Sequence, residues 1–584
     1  MMELALPAEF RPNEFPAASR EQWRAMVDAV LSKTGASFES LVTKTYDGIS
    51  LQPLYTLDDA LPPYALAPVK QGWDVRQRHA VPDPVALMND LEGGVTSLWL
   101  AVPASSLERL LDGVYLDLAP IVLDGSPEAA LAMLRIYDQA PVLADEVRGN
   151  LALTPFGPAL DVIKQARSEF PSLRTVVVDA LPFHDAGGSD SEELGASLAL
   201  AVSYLRALTG AGLSVAEAFA QLEFRYAASA DQFATIAKLR AARRLWARVA
   251  EVSGVDVPQV QHAVTSSAMM TRRDPWVNML RTTVATLAAG LGGADSVTVQ
   301  PFDAAIGLPD EFARRIARNT QNLLLEESHL GEVIDPAAGS WYVESLTDSL
   351  AVSAWAWFQE IERAGGFAAA RGLVASRIAE TWAARSARLA DRSDPITGVS
   401  EFPNLAEKPV VRVSGIDTDS QAPWGDAPPI PSVSSGSDSF GLPRVRYAQA
   451  FEELRDLADA QETRPQVFLA TLGPVAAHTA RATFAANLFN AGGFATPTAG
   501  PTRTAEEVAT QFKASGARIA VICGSDSSYA DQAAQTEQAL REAGAERVLL
   551  AGKKTDANVD GFVFMGCPAL EILNSTFDFL GVER

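Results

Sequence analysis

Basic residues, histidine and cysteine are all scarce in this chain. Its 584 residues carry 48 Lys and Arg against 72 Asp and Glu, a formal net charge of −24. That deficit disfavours nucleic acid as a partner, because phosphate binding needs a basic surface. It fits an anionic membrane surface poorly for the same reason. Two cysteines occur, Cys523 and Cys567. They are too few for a disulfide framework, lack zinc-type spacing, and read as small buried hydrophobes in a reducing compartment. Among the five histidines, His79, His262 and His329 form no metal-ligand spacing. The longest apolar stretch, Leu194 to Leu205, falls short of the roughly 20 residues needed to span a bilayer. The N-terminus shows no basic and apolar signal pattern. No Walker, Gly-x-Ser-x-Gly or His-Glu-x-x-His motif is present. A soluble cytoplasmic protein is expected.

Apolar residues, by contrast, are plentiful. Hydrophobic residues make up 48% of the chain, enough for large cores, and the length implies more than one domain. Composition breaks between Ser414 and Pro443, where Ala422-Pro423-Trp424-Gly425, Pro428-Pro429-Ile430-Pro431 and Ser432-Val433-Ser434-Ser435-Gly436 occur. Such clusters cannot build a packed element and mark a linker.

Short apolar runs alternate with helical patterns before that break. Strands are expected at Ser97–Val102, Tyr115–Leu123, Thr175–Asp179, Leu222–Tyr226, Pro258–Ala263 and Val297–Gln300. Helices are expected at Pro127–Ile136, Gly157–Ser168, Glu192–Leu208, Asp231–Val252 and Pro275–Leu291. Another opens at Pro309-Asp310-Glu311, with Phe312, Ile316, Leu323 and Leu324 near one face. This alternation suits a (β/α)8 TIM barrel. After the break, strands are expected at Val467–Leu469, Arg518–Ile522, Arg547–Leu550 and Gly561–Phe564. Helices follow at Thr483–Asn490, Ala505–Lys513, Ala530–Ala543 and Ala569–Leu580. That order suits a doubly wound, flavodoxin-like sheet, which binds ligands at the carboxyl ends of its strands. The Gly473–Arg481 loop, carrying His478 on a strand-to-helix turn, is one such position. The divisions expected are an N-terminal extension over 1–60, a barrel over 61–403, a linker over 404–462 and the second α/β domain over 463–584.

Several segments carry a resemblance. They are Ala237-Lys238-Leu239-Arg240-Ala241-Ala242-Arg243, Asn278-Met279-Leu280-Arg281-Thr282, Ala304-Ala305-Ile306-Gly307-Leu308-Pro309, Arg315-Ile316-Ala317-Arg318-Asn319-Thr320-Gln321 and Asp335-Pro336-Ala337-Ala338-Gly339-Ser340. Together they resemble methylmalonyl-CoA mutase, over both domains from about Leu61 onward. The resemblance implies a barrel holding an acyl-CoA and a C-terminal domain of the cobalamin-binding type. It also implies adenosylcobalamin as the source of a radical that the protein positions and shields.

The family's working residues are altered. A pattern resembling Trp-x-x-Arg-Gln-Tyr reads Trp73-Asp74-Val75-Arg76-Gln77-Arg78, so Arg78 stands where the family has a tyrosine. Ala152 stands where the resemblance places a glutamine, removing a donor and an acceptor. The Tyr-His pair is Phe183-His184, so His184 is kept. In the cobalt-ligating pattern Asp-x-His-x-x-Gly, alignment on His478 puts Ala476 at the aspartate and Arg481 at the glycine. That aspartate fixes the imidazole tautomer, and losing such a partner typically costs about 10–100-fold in metal affinity or activity. An arginine side chain would also intrude where glycine lets the backbone approach the cofactor. Later signatures, Ser-x-Leu and Gly-Gly, read Ser525-Asp526-Ser527 and Ala551-Gly552.

The resemblance therefore implies a small, non-catalytic subunit beside a homologous large chain. That large chain would bind adenosylcobalamin and the acyl-CoA and interconvert (R)-methylmalonyl-CoA and succinyl-CoA. No catalytic, cofactor-binding or metal residue is expected on this chain. Arg78, Ala152 and His184 would be vestigial positions, and Ala476, His478 and Arg481 a degenerate cobalamin loop. Two other readings stay open. A divergent active acyl-CoA mutase would use Arg78 on substrate and His478 on cobalt. A mutase-associated binding or chaperone module would act without joining a stable complex.

Overall fold

The computed structural model describes residues 18–62, 72–124, 126–413, 440–553 and 556–582. The Pro/Ser-rich run at 422–437 that suggested a linker lies outside them. A short antiparallel hairpin, β1 (Thr43–Lys44) and β2 (Ser50–Leu51), precedes the first large sheet. Tyr46 in its turn bonds Asp394, and Asp47 accepts the Ser191 amide at 2.7 Å. The 18–62 segment is thereby fastened to the body that follows.

Eight parallel strands then run in chain order: β3 (Asp74–His79), β4 (Ser97–Leu100), β5 (Ile121–Leu123), β6 (Gly149–Asn150), β7 (Val176–Asp179), β8 (Leu222–Ala228), β9 (Gln261–Thr265) and β10 (Ser296–Thr298). β3 pairs with both β4 and β10. A bridge between Asn150 and Arg174 joins β6 to the start of β7 and closes the ring. Gly149 has φ +131°, and a Cβ there would sit 2.0 Å from the Ile121 carbonyl oxygen, so this closure needs glycine. The result is a (β/α)8 barrel.

The surrounding helices begin where local chemistry starts them. Glu192 accepts the Ser189 amide at 2.9 Å at the start of the helix Asp190–Gly210, and Asp231 caps Gln232–Val252. Asp310 caps Glu311–Asn322, but its buried face is Ala313, Ala317, Arg318 and Gln321, while Phe312 and Leu323 are exposed. Polar bonds explain the rotation. Arg318 pairs with Asp90 at 2.8 Å, and Gln321 accepts from the Trp73 indole at 3.0 Å.

Two further sequence expectations need correction. Of Tyr115–Leu123 only Ile121–Leu123 is strand; Tyr115 and Leu118 are exposed in a turn. β3 and β6 carried no apolar run to announce them, because β3 alternates arginines toward the barrel interior and β6 is two residues long.

The second sheet has β11 (Phe468–Thr471), β12 (Ile519–Cys523), β13 (Arg547–Ala551) and β14 (Gly561–Val563), all parallel. Bridges from Gln466 to Ala495 and Leu469 to Thr498 add an edge segment beside β11. The spatial order, with that segment second in the chain, is the flavodoxin order. Alternation along the strands splits two cores. Leu469, Val521 and Leu549 face the helices Gln449–Asp459, Val475–Ala491 and Ala569–Leu580. Phe468, Ala520 and Val548 face Ala505–Ser515 and Asp526–Glu542. The helix Gln449–Asp459 falls inside the stretch expected as linker and packs on this sheet through Phe451 and Leu454. No helix among the described residues is long and apolar enough to cross a membrane.

Candidate functional site

In a barrel of this kind, chemistry gathers at the carboxyl ends of the strands. Here that end is packed with side chains. Trp99 of β4 lies under two guanidinium groups, Arg225 of β8 at 4.0 Å and Arg78 of β3 at 5.0 Å from its ring centroid. The Trp99 indole donates to Asp124 at 2.8 Å. Asp124 also meets Arg78 at 3.5 Å and Arg225 at 3.6 Å, and Asp179 pairs with Arg225 at 2.9 Å. Val122, Val177 and Val264 close around the same indole.

A second layer is equally full. Arg76 ion-pairs with Glu223 and donates to Ser97 at 3.0 Å, while Asn150 reaches Glu223 at 3.4 Å. Burial pushes the Glu223 carboxyl up, but Arg76, with Arg174 and Arg225, outweighs it, and the group rests below the usual range. His262 donates or accepts at Thr298, 2.8 Å away, and packs edge-to-face with Trp99, ring centroids 5.4 Å apart. Burial, then Arg76 and Arg225, hold that imidazole neutral.

Of the residues singled out in the sequence, Arg78 and Ala152 meet at this plug. Ala152 packs against the Trp99 cluster. Its backbone is left-handed, φ +50°, and its amide donates to Asn150 at 2.9 Å. His184 belongs to a separate buried cluster. Its Nε2 lies 2.6 Å from the Ser266 hydroxyl and its Nδ1 3.8 Å from Glu193. Burial, helped by Lys238, pushes its pKa down to about 3. Lys238, fully buried, meets Glu193 at 2.7 Å and Asp190 at 2.9 Å. Burial alone would strip its proton, but the two acids hold the ammonium above its ordinary value.

The second domain departs from expectation in one respect that matters. Gly473–Arg481 is not a loop. A helix runs Val475–Ala491, starting one residue after Pro474, so Ala476, His478 and Arg481 all lie on it. Alanine-rich sequence after a proline, with no β-branched run, favours this early start. His478 is 7% exposed, and its Nδ1 is buried without a hydrogen-bond partner among the described residues. Arg481 donates to the Gly524 carbonyl at 2.7 Å, pairs with Asp526 and lies 4.6 Å over the Tyr529 ring. The Tyr529 hydroxyl donates to the Ala551 carbonyl at 2.7 Å and accepts the Gly524 amide at 3.0 Å. One phenol thus ties the carboxyl ends of β12 and β13, and one arginine ties them to the helix. A cleft of about 760 Å³ remains outside this tie, lined by Arg481, Tyr529, Lys553 and Phe564.

Sequence reasoning missed Trp99, Arg225, Glu223, Lys238 and Tyr529. Glu223 and Arg225 alternate within a run already read as strand, which was the available signal. Tyr529 carried none, since its role depends on two strand ends far apart in sequence. No group of three or more His, Cys, Asp or Glu among the described residues could hold a metal ion.

The sequence profile of the family described as methylmalonyl-CoA mutase matches residues 150–422. The methylmalonyl-CoA mutase small subunit of Streptomyces virginiae is 54% identical, over 97% of this chain and 98% of its own. The small subunit from Propionibacterium freudenreichii subsp. shermanii is 36% identical, over 98% and 96%. The methylmalonyl-CoA mutase of Escherichia coli (strain K12) is 29% identical, over 65% and 64%.

Proposed function

The chain belongs to the methylmalonyl-CoA mutase family, among its small subunits, and from that premise we propose that it is the non-catalytic half of a heterodimer. Its partner is a homologous large subunit that binds adenosylcobalamin and the acyl-CoA. The complex interconverts (R)-methylmalonyl-CoA and succinyl-CoA. The chain contributes a folded barrel and a second domain over 463–584, and its two buried thiols suit the cytoplasm.

The observation that carries this reading is the filled barrel mouth. Trp99, Arg78, Arg225 and Asp124 crowd the mouth on the side of β3, β4, β5 and β8, where Arg78 and Ala152 lie, while open space remains beside His184. Opening the crowded side would separate the buried Arg225 guanidinium from Asp124 and Asp179, which is unfavourable for that cation. Arg78 is turned toward Trp99 and Asp124.

The cofactor residues do not fit cobalamin. A lower cobalt ligand needs an imidazole nitrogen presented to the corrin and a partner on the other nitrogen. His478 sits within a helix turn, nearly buried, with Ala476 in place of a carboxylate and an orphaned Nδ1. Arg481 and Tyr529 bridge the strand ends beside it. No catalytic step is assigned to this chain.

Co-expression with the large subunit tests the proposal. Size-exclusion chromatography is expected to give a one-to-one complex with isomerase activity, and this chain alone is expected to have none. Absence of a stable complex would overturn it in favour of a transient accessory role. Turnover by this chain alone would overturn it in favour of a divergent mutase.

A further inference from the structure

Acids outnumber bases by 72 to 48 in this chain, so buried arginines have carboxylates to choose from. Two arginines facing one cavity nevertheless form no direct ion pair among the described residues, although Asp394 and Asp190 lie near Arg385, and Asp274 and Glu452 near Arg281. The cavity, about 690 Å³, lies beside His184 between the helices Val277–Leu291 and Trp341–Arg363. Arg281 and Arg385 both line it. Arg281 donates to Thr271, Asn278 and the Thr397 carbonyl, all uncharged, and burial holds its guanidinium below the ordinary value. Arg385 lies over the rings of Tyr46 at 4.1 Å and Tyr447 at 5.1 Å. Among the described residues it makes no hydrogen bond or ion pair, and its Nε is buried without a partner.

The acids on the cavity wall are already engaged. Asp394 bonds Tyr46 and Arg388, and Asp190 pairs with Lys238. Asp47 accepts the Ser191 amide, and Asp231 caps the helix Gln232–Val252. The remaining wall is apolar, with Leu280, Val284, Leu346 and Leu350. A half-buried guanidinium with unused donors is unfavourable unless an acceptor fills the place, and the strongest acceptor for it is a carboxylate.

We propose that this cavity binds a small organic carboxylate with an apolar body. The carboxylate meets Arg385 and Arg281, and the carbon chain lies on Leu280, Val284 and Leu346. Tyr46 and Tyr447 hold the Arg385 guanidinium flat, so little ordering is needed on binding. The site shares no residue with the Trp99 plug or the Arg481–Tyr529 tie, and it stands whether or not the chain is non-catalytic.

Isothermal titration calorimetry of the full chain tests this, with sodium hexanoate and sodium succinate as carboxylate probes and sodium phosphate as a third arm. Saturable one-to-one binding of at least one carboxylate is expected, weakened at least about tenfold in Arg385→Gln, the loss of one charged hydrogen-bonding group. Leu280→Glu, at a position 68% exposed, brings a negative charge to the mouth without touching the core. It is expected to weaken binding by a similar factor while leaving thermal unfolding unchanged. The proposal is overturned by no saturable heat with either carboxylate up to about 10 mM, weaker than any site of this kind should be. It is equally overturned by a response to phosphate alone, or by binding that survives both substitutions.

Discussion

At the residue scale, this chain buries charge beside His184. Lys238 and Glu193 are buried together there, with the partly exposed Asp190 as the second acid on Lys238. Removing only the cation leaves two carboxylates without a partner. Lys238→Met is therefore expected to cost about 3–5 kcal/mol, read as a lower urea midpoint at unchanged slope. The histidines set the acid response. Burial depresses the folded pKa of His184 to about 3 and of His79 to about 4, from 6.5. The unfolded chain then binds more protons below pH 6.5, so their stabilisation is complete above that value and is lost as pH falls toward the folded values. At pH 5 the share of His184 is about 2 kcal/mol, from 1.36 kcal/mol per unit over roughly 1.5 units. Urea unfolding at pH 7.5, 6.0 and 5.0 should fall accordingly, with a shallower fall in His184→Gln. An unchanged slope in that variant would contradict the assignment.

At the element scale, the helix Val475–Ala491 changes what the cofactor motif means. Letters aligned to a loop are here a helical turn, with Arg481 tied to the Gly524 carbonyl. Restoring the family's letters with Ala476→Asp and Arg481→Gly is expected to leave the visible spectrum of added adenosylcobalamin unchanged, because His478 still faces inward. Tyr529→Phe leaves the Gly524 amide and the Ala551 carbonyl unpaired near β12 and β13. It should cost about 1–3 kcal/mol in a denaturant titration. These elements also show what could be read in advance. Helix Ala569–Leu580 matched its expected span because its apolar spacing is regular and a glycine follows. β3 escaped because its inward positions are Arg76 and Arg78, and the burial of Arg76 rests on Ser97 of β4 and Glu223 of β8. Periodicity reports apolar faces; it cannot report a polar interior built from residues distant in sequence.

At the scale of the whole molecule, the barrel and the second sheet are joined by ion pairs at the helix Gln449–Asp459. Glu452, with no side-chain exposure, takes Arg446 at 2.6 Å and Arg272 at 3.3 Å. Arg273 holds Asp456 at 2.6 Å and Asp459 at 2.7 Å. Glu452→Ala is expected to cost about 3 kcal/mol and to split calorimetric unfolding into separate transitions for the two bodies. The barrel and the doubly wound second sheet were legible in the sequence, whereas His478 was expected on a loop and lies on a helix. The Trp99 plug and the Arg481–Tyr529 tie were not legible, since each joins three or more strands or helices. The central claim is that cofactor and chemistry belong to the partner. Gel filtration with adenosylcobalamin, followed by absorbance, tests it most directly. Cofactor should elute free from this chain alone and at one per heterodimer from the complex. Stoichiometric co-elution with this chain alone, abolished by His478→Ala, would contradict it.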